Sequence, residues 1–217
     1  IITILCPSYI ISNKFTIENK DKLSIIRIKN FKTKDRNKIL RFLIEFFTPL
    51  KLIFYVIFFI KFPNKFDGII FYSPSIFHGP LVQYLKTSNH CKSFLILRDL
   101  FPEWAYDLGL IKKGVIYLFF KLVQYYQYSV SNFIGLQSIG NYNFFSSWNE
   151  EKKKKLVLLE NWLNKSFKVI EPTKKLKSIL KNKKVFVYCG NMGIAQDFSI
   201  FFDAILEIKN KKNILFL

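Results

Sequence analysis

The sequence predicts an α/β fold in which a parallel sheet carries helices on both faces. Short runs rich in β-branched and aromatic residues alternate along the chain with longer stretches of helical periodicity, which is the pattern of βαβ units. Several of the short runs are apolar at consecutive positions, as expected of strands that are covered on both sides. Half of the 217 residues are hydrophobic and 18% are aromatic, a composition that excludes a disordered chain.

The apolar runs place the strands in order along the chain: Ile1–Cys6, Leu23–Ile28, Asp67–Tyr72, Ser93–Arg98, Phe133–Gln137, Lys155–Leu159, Val185–Cys189 and Asn213–Leu217. Apolar residues at three- and four-residue spacing place the helices between them: Asp35–Ile60, Pro80–Lys86, Val115–Ser129, Asn141–Trp148 and Gln196–Lys209. Ligands of such folds bind at the carboxyl ends of the strands, so the loops that follow strands are the first candidates for a site.

The charge is lopsided and marks a division of the chain. There are 34 basic and 15 acidic residues, a formal net charge of +19, and only four of the basic residues are Arg. Residues 152–184 hold twelve Lys against Glu160 and Glu171, which predicts a basic linker. The expected organisation is a domain over residues 1–160, a linker over 161–183 and the first βαβ unit of a second domain over 184–217. Since the chain opens on a strand without Met, we expect it to begin a few residues inside the natural protein. Since it stops in mid-strand, we expect either a fragment of a longer protein or the product of a truncated gene.

Phe42–Ile60 is the one membrane-like segment. Fourteen of its 19 residues are Leu, Ile, Phe or Val, but Lys51 at its centre, with Glu45 and Pro49, brings its insertion free energy close to zero. A spanning helix would place the first two strands across the membrane from the rest of the sheet. Two alternatives remain open: a helix lying in the membrane interface, and a buried core helix.

The stretch Leu97–Trp104 follows a strand and carries three charged side chains beside apolar ones. Arg98, Asp99 and Glu103 are placed where a carboxylate could act as a base or hold a substrate hydroxyl. The alternative is an Arg–Asp pair that only braces the edge of the sheet.

A second stretch, Tyr188–Asp197, runs from a strand through two glycines into a helix. Gly190 and Gly193 allow close approach of the backbone to a ligand, and the helix N-terminus offers free N–H groups to a diphosphate. An ordinary strand-to-helix turn is the alternative. The sequence has no dinucleotide fingerprint, P-loop or nucleophile elbow. Its cysteines and histidines have no metal-ligand spacing, so no metal is expected, and the cysteines are expected to be buried free thiols.

In this order and spacing the motifs resemble glycosyltransferase family 4, in particular the bacterial branch that builds O-antigen, capsule and exopolysaccharide. That branch carries an R-D-L-[WF]-P-E stretch, an L-x-N-W and a Y-x-G-N-M-G-x-A-Q, which correspond here to Arg98–Glu103, Leu159–Trp162 and Tyr188–Gln196. Pro74–Gly79 and Asp107–Leu110 also stand where the branch has similar residues. The resemblance covers nearly the whole chain.

The resemblance implies a GT-B fold, two Rossmann-like domains, of which the second is truncated here. Asp99 would face the reacting sugar, with Arg98, Glu103 and His78 supporting the acceptor side. The residues implied to approach the donor diphosphate are Gly190, Asn191, Gly193 and Gln196. No metal or other cofactor is implied. The family's E-x7-E segment is not among the 217 residues, so the isolated chain is expected to be inactive.

The resemblance also implies partners and a location. These are a nucleotide sugar, expected to be a UDP-sugar, a polyprenyl-diphosphate-linked acceptor and an anionic membrane surface at the inner face of the bacterial cell membrane. The alternative is a basic module without catalysis that binds a membrane surface or nucleic acid. Four Arg residues are a poor supply for reading bases, so no nucleic-acid partner is expected.

Overall fold

The computed structural model describes residues 1–33, 36–62, 64–163, 170–190, 192–193, 196–208 and 213–217. These residues form two compact units, Ile1–Asn161 and Trp162–Leu217. The roles expected for the two domains, and the linker over 161–183, stay predictions.

A three-stranded sheet opens the first unit. Its strands are β1 (Ile2–Ser8), β2 (Phe15–Lys20) and β3 (Leu23–Lys29), and their order is β1-β3-β2. β1 runs parallel to β3, whereas β2 is antiparallel to it and turns at Asp21, whose backbone φ of 49° is left-handed. The sequence does not predict β2, because the half of this strand that ends at Lys20 is polar and weakens the strand pattern.

The second sheet of this unit is entirely parallel. Its order is β4-β5-β6-β7, and its strands are β4 (Gly68–Tyr72), β5 (Lys92–Leu97), β6 (Phe133–Leu136) and β7 (Leu156–Leu158). The helical segments around it are α2 (Gly79–Asn89), α3 (Glu103–Asp107), α4 (Val115–Val130), a 3₁₀ helix (Ile139–Phe145) and α5 (Glu150–Lys153). The predicted mixed α/β architecture with a parallel sheet flanked by helices is therefore confirmed.

A long helix, α1 (Lys38–Phe58), connects the two sheets along the chain. The side chain of Asn37 caps its start by accepting a hydrogen bond from the Leu40 N–H at 2.7 Å. Its buried side chains lie on one face: Ile44, Thr48, Pro49, Leu52 and Val56. That face joins β3 and α2 in one apolar core: Ile26, Ile28, Leu52, Val56, Ile60, Leu81 and Leu85. The core alternative therefore describes this face of the helix, while the opposite face is exposed.

Within the ranges that the structure describes, no helix has the length and hydropathy needed to cross a bilayer.

The parallel sheet has its own core on the side of α4. The buried residues are Leu95, Leu97, Tyr128, Ile134, Leu136, Phe145 and Leu156. Close packing leaves no room for a side chain at Gly135, where a Cβ atom would approach the Phe94 ring to 2.8 Å and the Leu159 side chain to 3.0 Å.

Two features differ from the expected doubly wound sheet. Among the described strands β1 pairs with β3 alone and β4 with β5 alone, so the first unit holds two sheets rather than one. The outer face of β4 is also open, since Ile70 is 74% exposed and Tyr72 is 53% exposed.

The helix expected over Asn141–Trp148 is a 3₁₀ helix that ends at Phe145.

The described residues of the second unit form a short helix followed by a strand–helix–strand unit. Its elements are α6 (Lys174–Leu180), β8 (Lys184–Phe186), α7 (Phe198–Ile208) and β9 (Ile214–Phe216). β8 and β9 are parallel, so α7 lies in a βαβ crossover, as the sequence predicts. β8 is shorter than the expected Val185–Cys189, although the Tyr188 N–H still donates to the Leu217 carbonyl at 2.8 Å.

Candidate active site at the carboxyl edge of the parallel sheet

The candidate site lies along one edge of the four-stranded sheet. Because β4, β5, β6 and β7 are parallel, their carboxyl ends meet at the same edge. The loops that leave this edge hold residues 73–78, 98–102, 137–138 and 159–161. They contain the charged stretch after β5 and the start of the L-E-N-W stretch after β7, so the topology places both motifs of the first unit at one edge.

Arg98 is anchored across the sheet. Its Nη1 donates a hydrogen bond to Oδ1 of Asn161, a residue 63 positions further along the chain. β5 and β7 are not neighbours but flank β6, so the arginine side chain reaches past one strand. An Arg held by one of its five N–H donors keeps the others for an anionic or polar ligand. The bond therefore fixes a positive charge at the edge.

Asp99 is held by its backbone and leaves its carboxylate in solvent. The Ser73 hydroxyl, on a side chain that is 1% exposed, donates to the Asp99 carbonyl at 3.3 Å and accepts from the Asp99 N–H at 3.4 Å. In the described part of the chain the Asp99 carboxylate has no hydrogen-bond or salt-bridge partner. An oriented, unoccupied carboxylate at a strand end is suited to binding a hydroxyl group or accepting its proton.

The Glu103 carboxylate, in contrast, is bound by side chains of α4. The carboxylate forms a salt bridge with Lys121 and accepts a second hydrogen bond from Gln124 Nε2 at 2.9 Å. Gln124 is 1% exposed and also donates to the Tyr128 hydroxyl at 3.1 Å. Burial, with the nearby charge of Glu103, raises the pKa of Tyr128. The structure therefore places Glu103 as a positioning residue, which ties α3 to α4.

His78 stands at the start of α2, at the same edge. Its backbone N–H donates to Gln127 Oε1 at 3.1 Å, and Gln127 Nε2 donates to the Ser75 carbonyl at 3.1 Å. Burial lowers the pKa of the His78 imidazole below its ordinary value. Burial thus favours the neutral ring, which can form a hydrogen bond with a hydroxyl group of a ligand.

Sequence reasoning missed the two amides that hold these loops. Gln124 and Gln127 are both 1% exposed and lie one turn apart on α4, where one binds Glu103 and the other binds the loop before α2. Their visible mark in the sequence is that they are polar residues within the apolar repeat of Val115–Val130. A buried amide needs partners, and here the site loops supply them.

The free energy of unfolding of the first unit is expected to fall as the pH drops below about 6.5. Because the pKa of His78 is lowered in the folded protein, the unfolded chain binds the proton more readily. The stabilisation is thus complete above the ordinary pKa of 6.5 and is lost as the pH falls from there towards the folded value. Urea unfolding at about pH 7.5 and about pH 5.5 measures it. His78→Gln should reduce the pH dependence, and an unchanged dependence would contradict the assignment.

In the glycine loop of the second unit, Gly193 and Gln196 form hydrogen bonds with each other. The Gly193 N–H donates to Gln196 Oε1 at 2.9 Å, and the Gln196 N–H donates to the Gly193 carbonyl at 3.1 Å. A Cβ atom at Gly190 would approach the Tyr188 hydroxyl oxygen to 2.8 Å, so a larger residue there would require the Tyr188 side chain to move. Asn191, the remaining predicted residue of this loop, lies outside the described residues. Contact of the loop with a diphosphate stays a prediction.

Over the described ranges, no cluster of three or more His, Cys, Asp or Glu side chains could hold a metal ion. The cysteines are free, but the expectation that they are buried is wrong for Cys189, which is exposed because its strand ends before it. Cys6 and Cys91 are partly buried, and burial raises the pKa of both thiols.

No protein-family model matches the chain, and no curated protein matches it either.

Proposed function

We propose that this chain belongs to a glycosyltransferase of GT-B type that moves a sugar from a nucleotide-sugar donor to a lipid-linked glycan acceptor. The observation that carries the proposal is the hydrogen bond between Arg98 and Asn161. It joins two of the stretches on which the family resemblance rests, Arg98–Glu103 and Leu159–Trp162, and does so at the edge of a parallel sheet where ligands usually bind. Asp99, with its exposed carboxylate, follows Arg98 directly.

The chemistry suits these side chains. In sugar transfer the bond from the anomeric carbon to the diphosphate oxygen breaks, the carbon bonds to the acceptor oxygen, and the acceptor hydroxyl loses its proton. We assign Asp99 to hold that hydroxyl and receive its proton, and neutral His78 to support it on the acceptor side. Arg98 offsets negative charge on the bound ligand. Glu103 contributes through position, because Lys121 and Gln124 occupy its carboxylate.

The partners follow from the same proposal. The donor is a nucleotide sugar, proposed to be a UDP-sugar, and its diphosphate would be approached by Gly190, Asn191, Gly193 and Gln196. The acceptor is a glycan on polyprenyl diphosphate, presented by an anionic membrane surface on the cytoplasmic side. Helix N–H groups and basic side chains offset the leaving diphosphate, so the proposed reaction uses no metal or other cofactor.

Binding of the acceptor to the 217-residue chain tests the first part of the proposal. A short-chain polyprenyl-diphosphate-linked sugar in detergent micelles should bind, and Arg98→Ala should weaken the affinity about tenfold, the effect of one charged hydrogen bond. Titration followed by tryptophan fluorescence measures the dissociation constant. Arg27→Ala is the matched control, because Arg27 pairs with Glu18 in the other sheet of the same unit.

The outcomes separate the transferase from a basic binding module. The exposed lysines of α6 and the net charge of +19 favour the module as the second candidate. Equal affinity in the wild type and the Arg98 variant, together with steeply salt-dependent binding to short DNA, would overturn the transferase assignment. Acceptor-dependent release of UDP by the gene product that contains this chain would support it.

A further inference from the structure

The exposed face of α1 is apolar along most of its length. The side chains there are between 42% and 67% exposed and recur at helical spacing: Leu43, Phe47, Leu50, Phe54, Ile57 and Phe58. The opposite face is buried in the core of the first unit. A surface helix normally carries polar residues on its outer face, so an outer face of Leu, Ile and Phe indicates a surface that is covered when the protein works.

α4 adds a second exposed apolar row beside the first. Its members are Val115, Ile116, Leu118, Phe119 and Leu122, with exposures from 37% to 85%. The two helices pack together near their N-termini, where the ring centroid of Phe42 on α1 lies 6.1 Å from that of Phe119 and 5.8 Å from that of Phe120. The two rows therefore belong to one continuous region, which we call the α1–α4 face.

Positive charge brackets the α1–α4 face. Residues 36–62 contain Arg36, Lys38, Arg41, Lys51 and Lys61 but a single acid, Glu45, which pairs with Arg41 at 2.7 Å. Lys112 and Lys113 are exposed just before α4 begins, and residues 108–131 contain no acid. Apolar side chains with Lys and Arg at their margins match the interface of an anionic bilayer. A second copy, with the same charges, would be repelled.

The α1–α4 face also lies next to the candidate site. The ring centroid of Phe120 on α4 lies 4.9 Å from that of Phe101 in the site loop. On the same helix, Lys121 forms the salt bridge with Glu103. Leu118 and Leu122, on the exposed side of α4, are within one turn of Lys121. A bilayer that covered Leu118 and Leu122 would meet the protein within a few residues of the loop that carries Asp99.

We propose that the α1–α4 face binds an anionic lipid bilayer and so brings the carboxyl edge of the parallel sheet to the membrane surface. The purpose of this contact rests on the proposed function, because a polyprenyl-linked acceptor is presented by a bilayer. The contact itself does not require sugar transfer, so vesicle binding and acceptor binding succeed or fail separately.

Vesicle co-sedimentation of the 217-residue chain tests the apolar part. The chain should bind phosphatidylcholine vesicles that contain about one third phosphatidylglycerol more tightly than pure phosphatidylcholine vesicles. Phe54→Gln/Phe58→Gln should weaken binding to both at least tenfold. The matched control is Ile10→Gln/Ile139→Gln, which removes two side chains that are 81% and 73% exposed elsewhere in the first unit. Equal binding by both double variants would overturn the proposal.

A charge variant and a fluorescence measurement complete the test. Lys112→Gln/Lys113→Gln should weaken binding at least tenfold for the anionic vesicles alone, since each well-placed cation contributes to attraction by acidic lipid. Phe58→Trp should shift its emission to shorter wavelength on binding and be quenched by brominated acyl chains. A dimer in light scattering that the Phe54/Phe58 variant abolishes, without vesicle binding by the wild type, would assign the face to a second copy instead.

Discussion

Replacing Asp99 with Asn should lower the rate of sugar transfer at least a hundredfold, which is the usual loss when a general base is removed. Asn keeps the size of the side chain and the two backbone hydrogen bonds to Ser73, so the loop should stay in place. The change should fall on kcat more than on KM, because the proton is transferred in the transition state. Release of UDP by the gene product that contains this chain, with saturating donor and acceptor, measures it.

Asp67→Asn is the matched control for this variant. Asp67 is an exposed aspartate that directly precedes β4, so it lies at the amino edge of the same sheet. This change should leave kcat within about twofold, since an exposed residue far from the reacting groups seldom alters the rate. An Asp99→Asn enzyme that kept more than about a third of the wild-type rate would remove Asp99 from the catalytic role.

Leu95→Ala should cost the first unit about 2–5 kcal/mol of unfolding free energy. Leu95 is fully buried in β5, at the centre of the core shared with β6 and α4. Shortening it removes its contacts and leaves a cavity that close-packed neighbours cannot fill. Since small proteins unfold with about 5–15 kcal/mol, the loss is a large fraction of the total. Urea unfolding followed by fluorescence, to which Trp148 in the same core contributes, gives the midpoint.

Ile70→Ala provides the comparison in the same sheet. Ile70 is 74% exposed on β4, so its truncation should change the unfolding free energy by no more than about 0.5 kcal/mol. Midpoints that shifted equally for the two variants would mean that the core of the parallel sheet does not limit the stability of the first unit.

The fold was predictable where a residue's neighbours in sequence determine its structure. The strands of the four-stranded sheet are short apolar runs, and the helix over Val115–Val130 follows from its apolar spacing, so their bounds were predicted within a residue or two. β2 was not predicted, because its residues form a strand by pairing with β3 and the polar residues at the end of β2 give no strand pattern of their own. The 3₁₀ helix at Ile139–Phe145 has helical apolar spacing, and spacing alone does not distinguish it from an α-helix.

For the candidate site, the sequence revealed residue types but not their partners. Strand-end charge pointed to Arg98, Asp99 and Glu103, and the structure places all three at one edge. The sequence could not show that the Glu103 carboxylate is bound by side chains of α4 while the Asp99 carboxylate is not, because both residues are acids in the same short stretch. The bond from Arg98 to Asn161 was also beyond reach, since it depends on the order of strands in the sheet.

The two buried amides of α4 couple the position of Glu103 to the position of the loop before α2. Gln124 and Gln127 are three residues apart and hold loops from two different strands, so the separation of those loops is set by one turn of one helix. A slip of α4 by a single residue would move both amides about 1.5 Å along the axis and about 100° around it. Both amide contacts would then be lost together, so an error in the docking of α4 would affect Glu103 and the loop before α2 at the same time.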